Sequence, residues 1–142
     1  MERRQFIKSS CQACLLGASG VLLAELVACS PGYQIIKTEV VDNSLDVPLS
    51  AFAQSNIQFV RPRGWSYDLV VQKKADDHFE SMLLQCTHQQ NQVVPTGNGF
   101  LCHLHGSQYD KDGNVTKGPA ELPLRKFKTE IQKDKLIIHL KG

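Results

Sequence analysis

Two short stretches are the most informative about the fold and the binding site of this chain: CTHQ, which begins at Cys86, and CHLHGSQYD, which begins at Cys102. Each stretch places a histidine two or three residues after its cysteine, His88 in the first and His105 in the second. Two thiolates and two imidazoles are soft or borderline donors, and four of them complete one tetrahedral site or two half-sites. A disulfide between the cysteines is the alternative, but it leaves the histidines unexplained. The pattern therefore predicts a metal centre.

On both sides of these stretches the chain alternates short β-branched or aromatic runs with turn residues. The runs are residues 33–41, 57–61, 65–72, 79–85, 99–101, 127–132 and 136–140. The last two alternate apolar and polar residues around residues 133–135 (KDK), which is typical of a hairpin, whereas residues 42–44 (DNS) interrupt the pattern. No segment after residue 31 shows ten residues of helical periodicity. We therefore predict a small antiparallel all-β domain of stacked sheets, with the two cysteine–histidine stretches in loops.

The length and charge of the chain exclude several classes of protein. It has 142 residues, with 16 Lys plus Arg, 14 Asp plus Glu and a formal net charge of +2, which bounds it to about one domain. Hydrophobic residues make up 42 % and charged residues 21 %, so disorder and coiled coil are not expected. A balanced charge supplies no basic face, and we therefore expect no nucleic-acid partner.

The first 29 residues have the three parts of an export signal: a basic start, an apolar middle and small residues at the end. Arg3 and Arg4 resemble the twin-arginine pattern, which implies export of an already folded protein. Residues 26–29 (LVAC) resemble the lipobox of bacterial lipoproteins, in which the cysteine carries lipid after cleavage. We therefore predict that residues 1–29 are the signal and that Cys29 is the lipid attachment site.

Two other interpretations of this segment stay open. An uncleaved membrane anchor needs about 20 mostly apolar residues, and residues 11–29 are barely that long and include Glu25. A cytosolic amphipathic helix needs a clean polar face, which the leucines and valines distributed around the helix do not leave. Signal and anchor both place the body of the protein outside the cytoplasm, at the membrane. We assign residues 30–44 to a linker and first strand, and residues 45–142 to one domain.

The two cysteine–histidine stretches, taken in order, resemble the signature of Rieske iron–sulfur proteins. That signature is Cys-X-His, then a short hairpin, then Cys-X-X-His-Gly, and the chain matches it at Cys86 and at Cys102. Residues 118–127 (GPAELPLRKF) are similar to the proline loop that covers the cluster in this family. The resemblance extends over residues 45–140, and it implies the Rieske fold and one [2Fe–2S] cluster.

The resemblance also implies a role for each of the four ligands. Cys86 and Cys102 would hold the inner iron as thiolates, while His88 and His105 would hold the outer iron as imidazoles. Replacing two thiolates by neutral imidazoles lowers the negative charge of the cluster, so its potential rises into a range of about −150 to +300 mV. The outer edge is exposed in the family, so we expect a redox partner, either a cytochrome or oxidoreductase subunit or a quinol, to dock at the two histidines. Each imidazole keeps a second ring nitrogen, so we expect electron transfer to be coupled to proton release.

Residues close to the ligands match the family as well. Ser107 and Tyr109 match the hydroxyl donors to a bridging sulfide and to the sulfur of the first cysteine, and such hydrogen bonds stabilise the more negative, reduced state. Gly106 and Pro119 belong to the second ligand stretch and to the proline loop. The alternative for the two hydroxyls is an ordinary turn serine and a tyrosine at the edge of the core.

Three features depart from the family pattern. The quinol-oxidising branch has an extra cysteine in each stretch that form a disulfide, and the corresponding residues here are Asn91 and Leu104. Residues 89–101, between the two stretches, are fewer than usual, so we expect a trimmed hairpin around residues 96–99. His103 stands where proline is common, and we interpret it as a surface histidine because adjacent side chains point apart.

Three functions follow from these residues. The first is a one-electron carrier on the outer side of a bacterial membrane that serves a quinol- or cytochrome-linked oxidoreductase. The second is a structural zinc module that uses two cysteines and two histidines, and the third is the ferredoxin component of an oxygenase. No nucleophile–base pair or other self-contained catalytic constellation is visible, so whether the chain is itself an enzyme stays open.

Overall fold

β-Strands build the part of the chain that this computed structural model describes, residues 33–141. A single 3₁₀ helix, Leu49–Phe52, interrupts them within these residues. The strands are β1 Ile35–Thr38, β2 Ser44–Pro48, β3 Ile57–Pro62, β4 Leu69–Ala75, β5 His78–Leu83, β6 Val94–Thr96, β7 Gly99–Leu101, β8 Gln108–Asp110, β9 Val115–Lys117, β10 Lys126–Gln132 and β11 Lys135–His139. The all-β class predicted from the sequence is confirmed.

Seven strands form the larger sheet, in the order β1-β3-β4-β5-β10-β11-β2. Its two edge strands approach each other, because the Thr38 hydroxyl on β1 donates a hydrogen bond to the Asp46 carbonyl on β2 at 3.3 Å. The sheet is therefore a nearly closed barrel. Every pair in it is antiparallel except β1 with β3, which run parallel from Ile35 opposite Phe59.

The side chains inside the barrel are those that point inward at every second position of its strands. Leu45 and Val47 on β2 lie opposite Ile138 and Leu136 on β11, and all four are fully buried. Each buried aliphatic side chain contributes roughly 1.5–3 kcal/mol relative to leaving it exposed. The rest of this core is Phe52, Val60, Leu69, Val71, Phe79, Leu83, Phe127 and Leu140.

The smaller sheet, β6-β7-β8-β9, carries the two cysteine–histidine loops and packs on a second core. Strand β4 serves both cores, because Leu69 and Val71 point into the barrel while Val70 points into the second core. Strand β5 does the same with Leu83 and Met82. A strand that is buried on both faces loses the usual alternation of apolar and polar residues, which explains the continuous apolar run at the start of β4.

Several sequence-based expectations for individual strands need correction. No strand was predicted between residues 41 and 57, whereas β2 begins at Ser44 and pairs with β11. The run predicted over residues 65–72 becomes a strand only at Leu69. Strands β6, β8 and β9 escaped prediction, since three residues are too few to show periodicity. A tight hairpin does lie at residues 96–99, with Thr96 opposite Gly99.

Residues 1–32 lie outside the described part of the chain, and so does residue 142. The predicted signal, its twin-arginine pair and the lipid site at Cys29 therefore stay predictions. Among residues 33–141, no helix is long and apolar enough to cross a membrane.

Candidate metal centre

Two loops of the same construction present the four predicted ligands. In the first ligand loop, residues 86–91, the backbone N–H of Cys86 donates to the Asn91 carbonyl at 2.9 Å. In the second ligand loop, residues 102–107, the N–H of Cys102 donates to the Ser107 carbonyl at 2.9 Å. The five-residue separation is the same in both loops. Each cysteine is thus held at the base of its loop by the residue that closes it.

Gly106 is the one position in these loops where the backbone requires glycine. Its φ of +81° lies in the left-handed region, which side chains other than glycine rarely adopt. The same residue donates its N–H to the Cys102 carbonyl at 2.9 Å, so the turn brings His105 and Ser107 to opposite sides of the loop, one exposed and one buried. The conformation of Gly106 therefore orients a predicted ligand.

The loops separate the four predicted ligands by chemistry. The two cysteines are free thiols and are buried, with 3 % of Cys86 and 1 % of Cys102 exposed. His88 and His105 are both exposed, and their ring centroids are 5.0 Å apart with the planes at 81°. The structure therefore brings the thiols together on the inside and the imidazoles together at the surface. A disulfide between Cys86 and Cys102 is not formed.

The environment of Cys86 favours its ionised form. Burial raises the pKa of this thiol, but hydrogen bonds from Tyr109, from the backbone around Gln89 and His88, and from Cys102 outweigh it and lower the pKa to about 7. A thiolate is the form of cysteine that binds metal, and metal affinity rises as the thiol becomes easier to ionise. The lowered pKa of Cys86 therefore favours metal binding by this sulfur.

Tyr109 is the side-chain donor to Cys86. Its hydroxyl lies 3.4 Å from the Cys86 sulfur and also accepts the backbone N–H of Thr87 at 3.1 Å. Burial, and after it the contact with Cys86, raises the pKa of Tyr109, so the phenol keeps its proton. The sequence-based match of Tyr109 to a sulfur donor agrees with this contact.

Ser107 is the second predicted hydroxyl donor, and it is fully buried. Its oxygen accepts the backbone N–H of Ala120 at 3.0 Å, so the hydroxyl proton remains available for another acceptor. Pro119, which precedes Ala120 and follows a cis peptide bond, is exposed on the proline loop. Ser107 therefore anchors that loop and keeps a hydroxyl proton to donate.

Residues 118–124 of the proline loop are also tied to the first ligand loop. The Thr87 hydroxyl donates to the Leu122 carbonyl at 2.6 Å and contacts the Tyr109 hydroxyl at 3.1 Å. Sequence reasoning missed Thr87, because a threonine between two ligands carries no signal of its own. From its position between Cys86 and His88, Thr87 joins the first ligand loop to Tyr109 on β8 and to the proline loop.

The residues that depart from the family pattern have distinct environments. Leu104 and His103 are exposed, with 51 % of Leu104 accessible, so His103 is a surface residue as expected. Asn91 is half-buried, and its amide nitrogen lies 3.8 Å from the Cys102 sulfur. The sequence singled out Asn91 only as a position without cysteine. Its hydrogen bond to a predicted ligand became visible only in the folded chain.

No group of three or more His, Cys, Asp or Glu side chains converges on one point in the described part of the chain. The donors instead form two pairs, one of sulfur and one of nitrogen. His78 and His139 lie elsewhere, on β5 and β11, and take no part in either pair.

Comparison with known proteins identifies the region that contains these loops. The family model described as the Rieske [2Fe-2S] domain matches residues 41–128. The cytochrome b6-f complex iron-sulfur subunit of Nostoc punctiforme is 45 % identical over 56 residues, which is 37 % of this chain and 31 % of that protein. The same subunit of Trichodesmium erythraeum is 46 % identical over 55 residues, 37 % of this chain and 30 % of that protein. The matched segment spans about a third of the length of these relatives.

Solved structures with a similar fold come from three settings. The cyanobacterial plasma membrane Rieske protein from Synechocystis PCC 6803 has a TM-score of 0.51 at 19 % identity, covering 64 % of this chain and 93 % of its own. A chain of the oxygenase–ferredoxin complex of carbazole 1,9a-dioxygenase gives 0.52 at 21 %, covering 72 % and 97 %. A chain of a hyperthermophilic respiratory Complex III gives 0.52 at 18 %, covering 95 % and 99 %. At these identities the likeness concerns the fold alone.

Proposed function

Because this chain belongs to the Rieske [2Fe-2S] family, we propose that it is a one-electron carrier of an oxidoreductase chain on the outer side of a bacterial membrane. The chain carries one Rieske-type [2Fe–2S] cluster, and its relatives include iron–sulfur subunits of cytochrome b6-f complexes. A cluster of this type supplies reversible one-electron chemistry at about −150 to +300 mV.

The ligand assignment rests on one observation, the separation of the donors into a buried sulfur pair and an exposed nitrogen pair. Cys86 and Cys102 hold the inner iron, and His88 and His105 hold the outer iron. These pairs fit a cluster that has two cysteines on one iron and two histidines on the other. A single zinc ion would require all four donors at one point, and the two-pair arrangement favours the cluster over that alternative.

His88 and His105 form the electron entry and exit point. Around them the two ligand loops contain no Asp, Glu, Lys or Arg, and the exposed leucines Leu104 and Leu122 are 51 % and 66 % accessible. Ligand loops without charged side chains and with an exposed leucine suit a partner that buries apolar area, such as a redox protein or a quinol. The donor or acceptor therefore docks at this edge.

Loss of one histidine ligand is the direct test of the assignment. We expect His88→Ala to lose the visible absorption and the EPR signal of the reduced cluster, because the outer iron would lack one of its two protein ligands. His103→Ala is the matched control, since His103 is also an exposed histidine and follows Cys102 in the second ligand loop. Equal spectra for wild type and His88→Ala, or a colourless wild-type protein with one zinc per chain, would contradict the assignment.

Proton coupling follows from the exposed imidazoles. Each histidine that binds iron through one ring nitrogen keeps an N–H on the other, and solvent reaches both rings. With iron bound, this N–H of His88 or His105 would be the group that releases a proton when the cluster is oxidised. We therefore expect the potential to fall at alkaline pH, by about 59 mV per pH unit for one proton and one electron. A potential that is independent of pH across the alkaline range would contradict the coupling.

The location is tested at the N-terminus. We expect the mature protein in the membrane fraction to begin with a lipid-modified Cys29, as found by mass spectrometry, and Cys29→Ser to lose this lipid. Replacing Arg3 and Arg4 by lysine should block export and leave an unprocessed chain in the cytoplasm. A soluble, unprocessed wild-type chain would instead support the ferredoxin alternative.

A further inference from the structure

We propose that Asn91 is a positioning residue that tunes the cluster by donating a side-chain hydrogen bond to the Cys102 thiolate. This inference rests on the ligand assignment above. It gives the second thiolate a side-chain donor of its own, as Tyr109 is the donor to the first. The effect of Asn91 is exerted through Cys102, on the ease with which the cluster accepts an electron.

The orientation of the Asn91 amide is determined by its neighbours. Its nitrogen lies 3.3 Å from the Gln92 carbonyl and 3.8 Å from the Cys102 sulfur. A carbonyl oxygen only accepts hydrogen bonds, so the amide nitrogen and not its oxygen must face Gln92. The amide has two N–H groups, and the second is then directed to the sulfur. The group facing Cys102 is therefore a donor.

The backbone holds Asn91 in place for this contact. Its carbonyl accepts the N–H of Cys86 at 2.9 Å, so the residue that reaches the second cysteine is anchored by the first. Asn91 thus touches both predicted ligands of the inner iron. Substitution of its side chain leaves that backbone bond unchanged, which allows the role of the amide to be tested separately.

The equivalent position of the second loop supports the same role. Asn91 is the fifth residue after Cys86, and Ser107 is the fifth residue after Cys102, and each closes its loop with its carbonyl. Both positions carry a side chain with a proton to donate, and both side chains are at least half-buried. The two loops therefore place a side chain that can donate a hydrogen bond at the same position, and at Asn91 that side chain contacts a sulfur.

Donors at thiolate ligands shift the redox equilibrium in a known direction. Reduction adds negative charge that is shared by the sulfur ligands, and an N–H directed at sulfur stabilises that state more than the oxidised one. The contact is long at 3.8 Å, so its effect is modest. We expect about a threefold change in the reduction equilibrium, which is about 30 mV at 59 mV per tenfold for one electron.

The test compares two variants of Asn91 with a neighbour in the same loop. Asn91→Leu removes the donor but keeps the number and branching of the side-chain heavy atoms, and Asn91→Asp keeps the shape but replaces the donor by an acceptor with a negative charge. For the leucine variant we expect a lower potential that corresponds to about a threefold smaller equilibrium constant for reduction. The potential of the aspartate variant should fall further. Gln90→Leu makes the same amide-to-leucine change at an exposed side chain and should leave the potential unchanged.

A vibrational measurement separates the hydrogen bond from general loosening of the loop. In resonance Raman spectra, a thiolate that accepts an exchangeable N–H shows an iron–sulfur stretch that moves when the protein is transferred to D₂O. Part of this shift should disappear in Asn91→Leu and remain in Gln90→Leu.

The outcomes for Asn91 and for the ligand assignment are distinguishable. If wild type and both Asn91 variants have the EPR signal of the reduced cluster but equal potentials and equal D₂O shifts, the role of Asn91 is refuted and the assignment stands. If Asn91→Leu fails to retain the cluster, the D₂O shift of Asn91→Asp decides, because the added charge lowers the potential by itself: a shift equal to that of wild type refutes the role of Asn91. Absence of the cluster signal in wild type would refute the assignment itself.

Discussion

Tyr109 has one hydroxyl proton and two neighbours that can accept it. The Cys86 sulfur lies 3.4 Å away and the Thr87 hydroxyl 3.1 Å away. Thr87 directs its own proton to the Leu122 carbonyl at 2.6 Å, so its oxygen is free to accept. The strength of the Tyr109 bond to sulfur is therefore set partly by Thr87 and, through it, by the proline loop.

Removal of the Tyr109 hydroxyl should lower the midpoint potential. Tyr109→Phe keeps the buried ring but withdraws the donor from the Cys86 sulfur, so the reduced state loses more stabilisation than the oxidised state. We expect a fall of roughly 30–60 mV, three- to tenfold in the reduction equilibrium, by protein-film voltammetry. Tyr67→Phe, at a half-buried tyrosine that packs on the barrel core, is the control. An unchanged potential would remove Tyr109 from the tuning of the cluster.

Replacement of Ser107 by alanine should lower both the stability of the fold and the reduction potential of the cluster. The Ala120 N–H would lose its acceptor in a buried site, which costs about 1–3 kcal/mol. Thermal unfolding followed by circular dichroism and by the visible absorption of the cluster measures this loss.

Ser81→Ala is the matched control for Ser107→Ala. Ser81 is equally buried, but its hydroxyl has no hydrogen-bond partner among the described residues, so its removal should be neutral or stabilising. Equal unfolding temperatures for the two serine variants would contradict the anchoring role of Ser107.

At the scale of strands, the small sheet depends on a close approach between β7 and β8. Gly99 on β7 lies opposite Asp110 on β8, and a Cβ at Gly99 would stand 2.0 Å from the Tyr109 carbonyl oxygen. No side chain fits in that space. The position of Tyr109, and hence its contact with Cys86, is therefore linked to a glycine one strand away.

Gly99→Ala should displace β8 and so affect both fold and potential. We expect a loss of more than about 2 kcal/mol in the free energy of unfolding, together with a lower potential, because Tyr109 moves with its carbonyl. Gly97→Ala, in the turn of the same hairpin, meets nothing within 4 Å and should stay within about 0.5 kcal/mol of wild type. Urea unfolding followed by Trp65 fluorescence measures both. Comparable stability of the two alanine variants would contradict the close approach.

The start of β4 is joined to β3 by a buried ion pair. Arg61 on β3 donates two hydrogen bonds, at 2.5 and 2.9 Å, to the Asp68 carboxylate, whose side chain is 1 % exposed. Arg61→Leu leaves that buried carboxylate without its guanidinium. Because the arginine is itself 37 % exposed, we expect a cost at the low end of the usual 3–5 kcal/mol range, about 3 kcal/mol by urea unfolding.

Arg63→Leu is the control for Arg61→Leu. Arg63 also forms an ion pair, with Glu39, but 78 % of its side chain and 62 % of its partner's are exposed. Water screens such a pair, and its loss should cost at most about 1 kcal/mol. Similar losses for the two arginine variants would show that burial of Asp68 does not matter.

At the scale of the whole molecule, one sheet supports two interiors. The barrel core and the second core share β4 and β5, and both ligand loops and the proline loop lie on the second core. All these elements fall in the compact unit Gln34–Gly142. We therefore expect a chain without residues 1–33 to bind the cluster with the wild-type visible spectrum and thermal midpoint. A colourless or unfolded shortened chain would contradict this prediction.

The all-β class and the pattern of the cluster site were predictable from the sequence because they depend on residue type and short spacing. The hairpin of β10 and β11 shows a clear alternation, and each cysteine lies within three residues of its histidine. Strands β6, β8 and β9 were not predictable, because three residues contain too little pattern. Strand β2, with Pro48 at its end, lacks the β-branched enrichment of a typical strand.

The sequence by itself determined the donor chemistry of this protein, two thiols and two imidazoles on a β framework. Only the tertiary structure decided which donors are buried, which are exposed, and which side chains reach the sulfurs. Tyr109 and Cys86 are 23 residues apart, Thr87 and Leu122 are 35 apart, and no local pattern records either contact. Asn91 is the same case at shorter range, because its amide reaches Cys102 only when the two loops fold side by side. The physical reason is that such hydrogen bonds depend on how separate loops pack, and packing is set by the whole core.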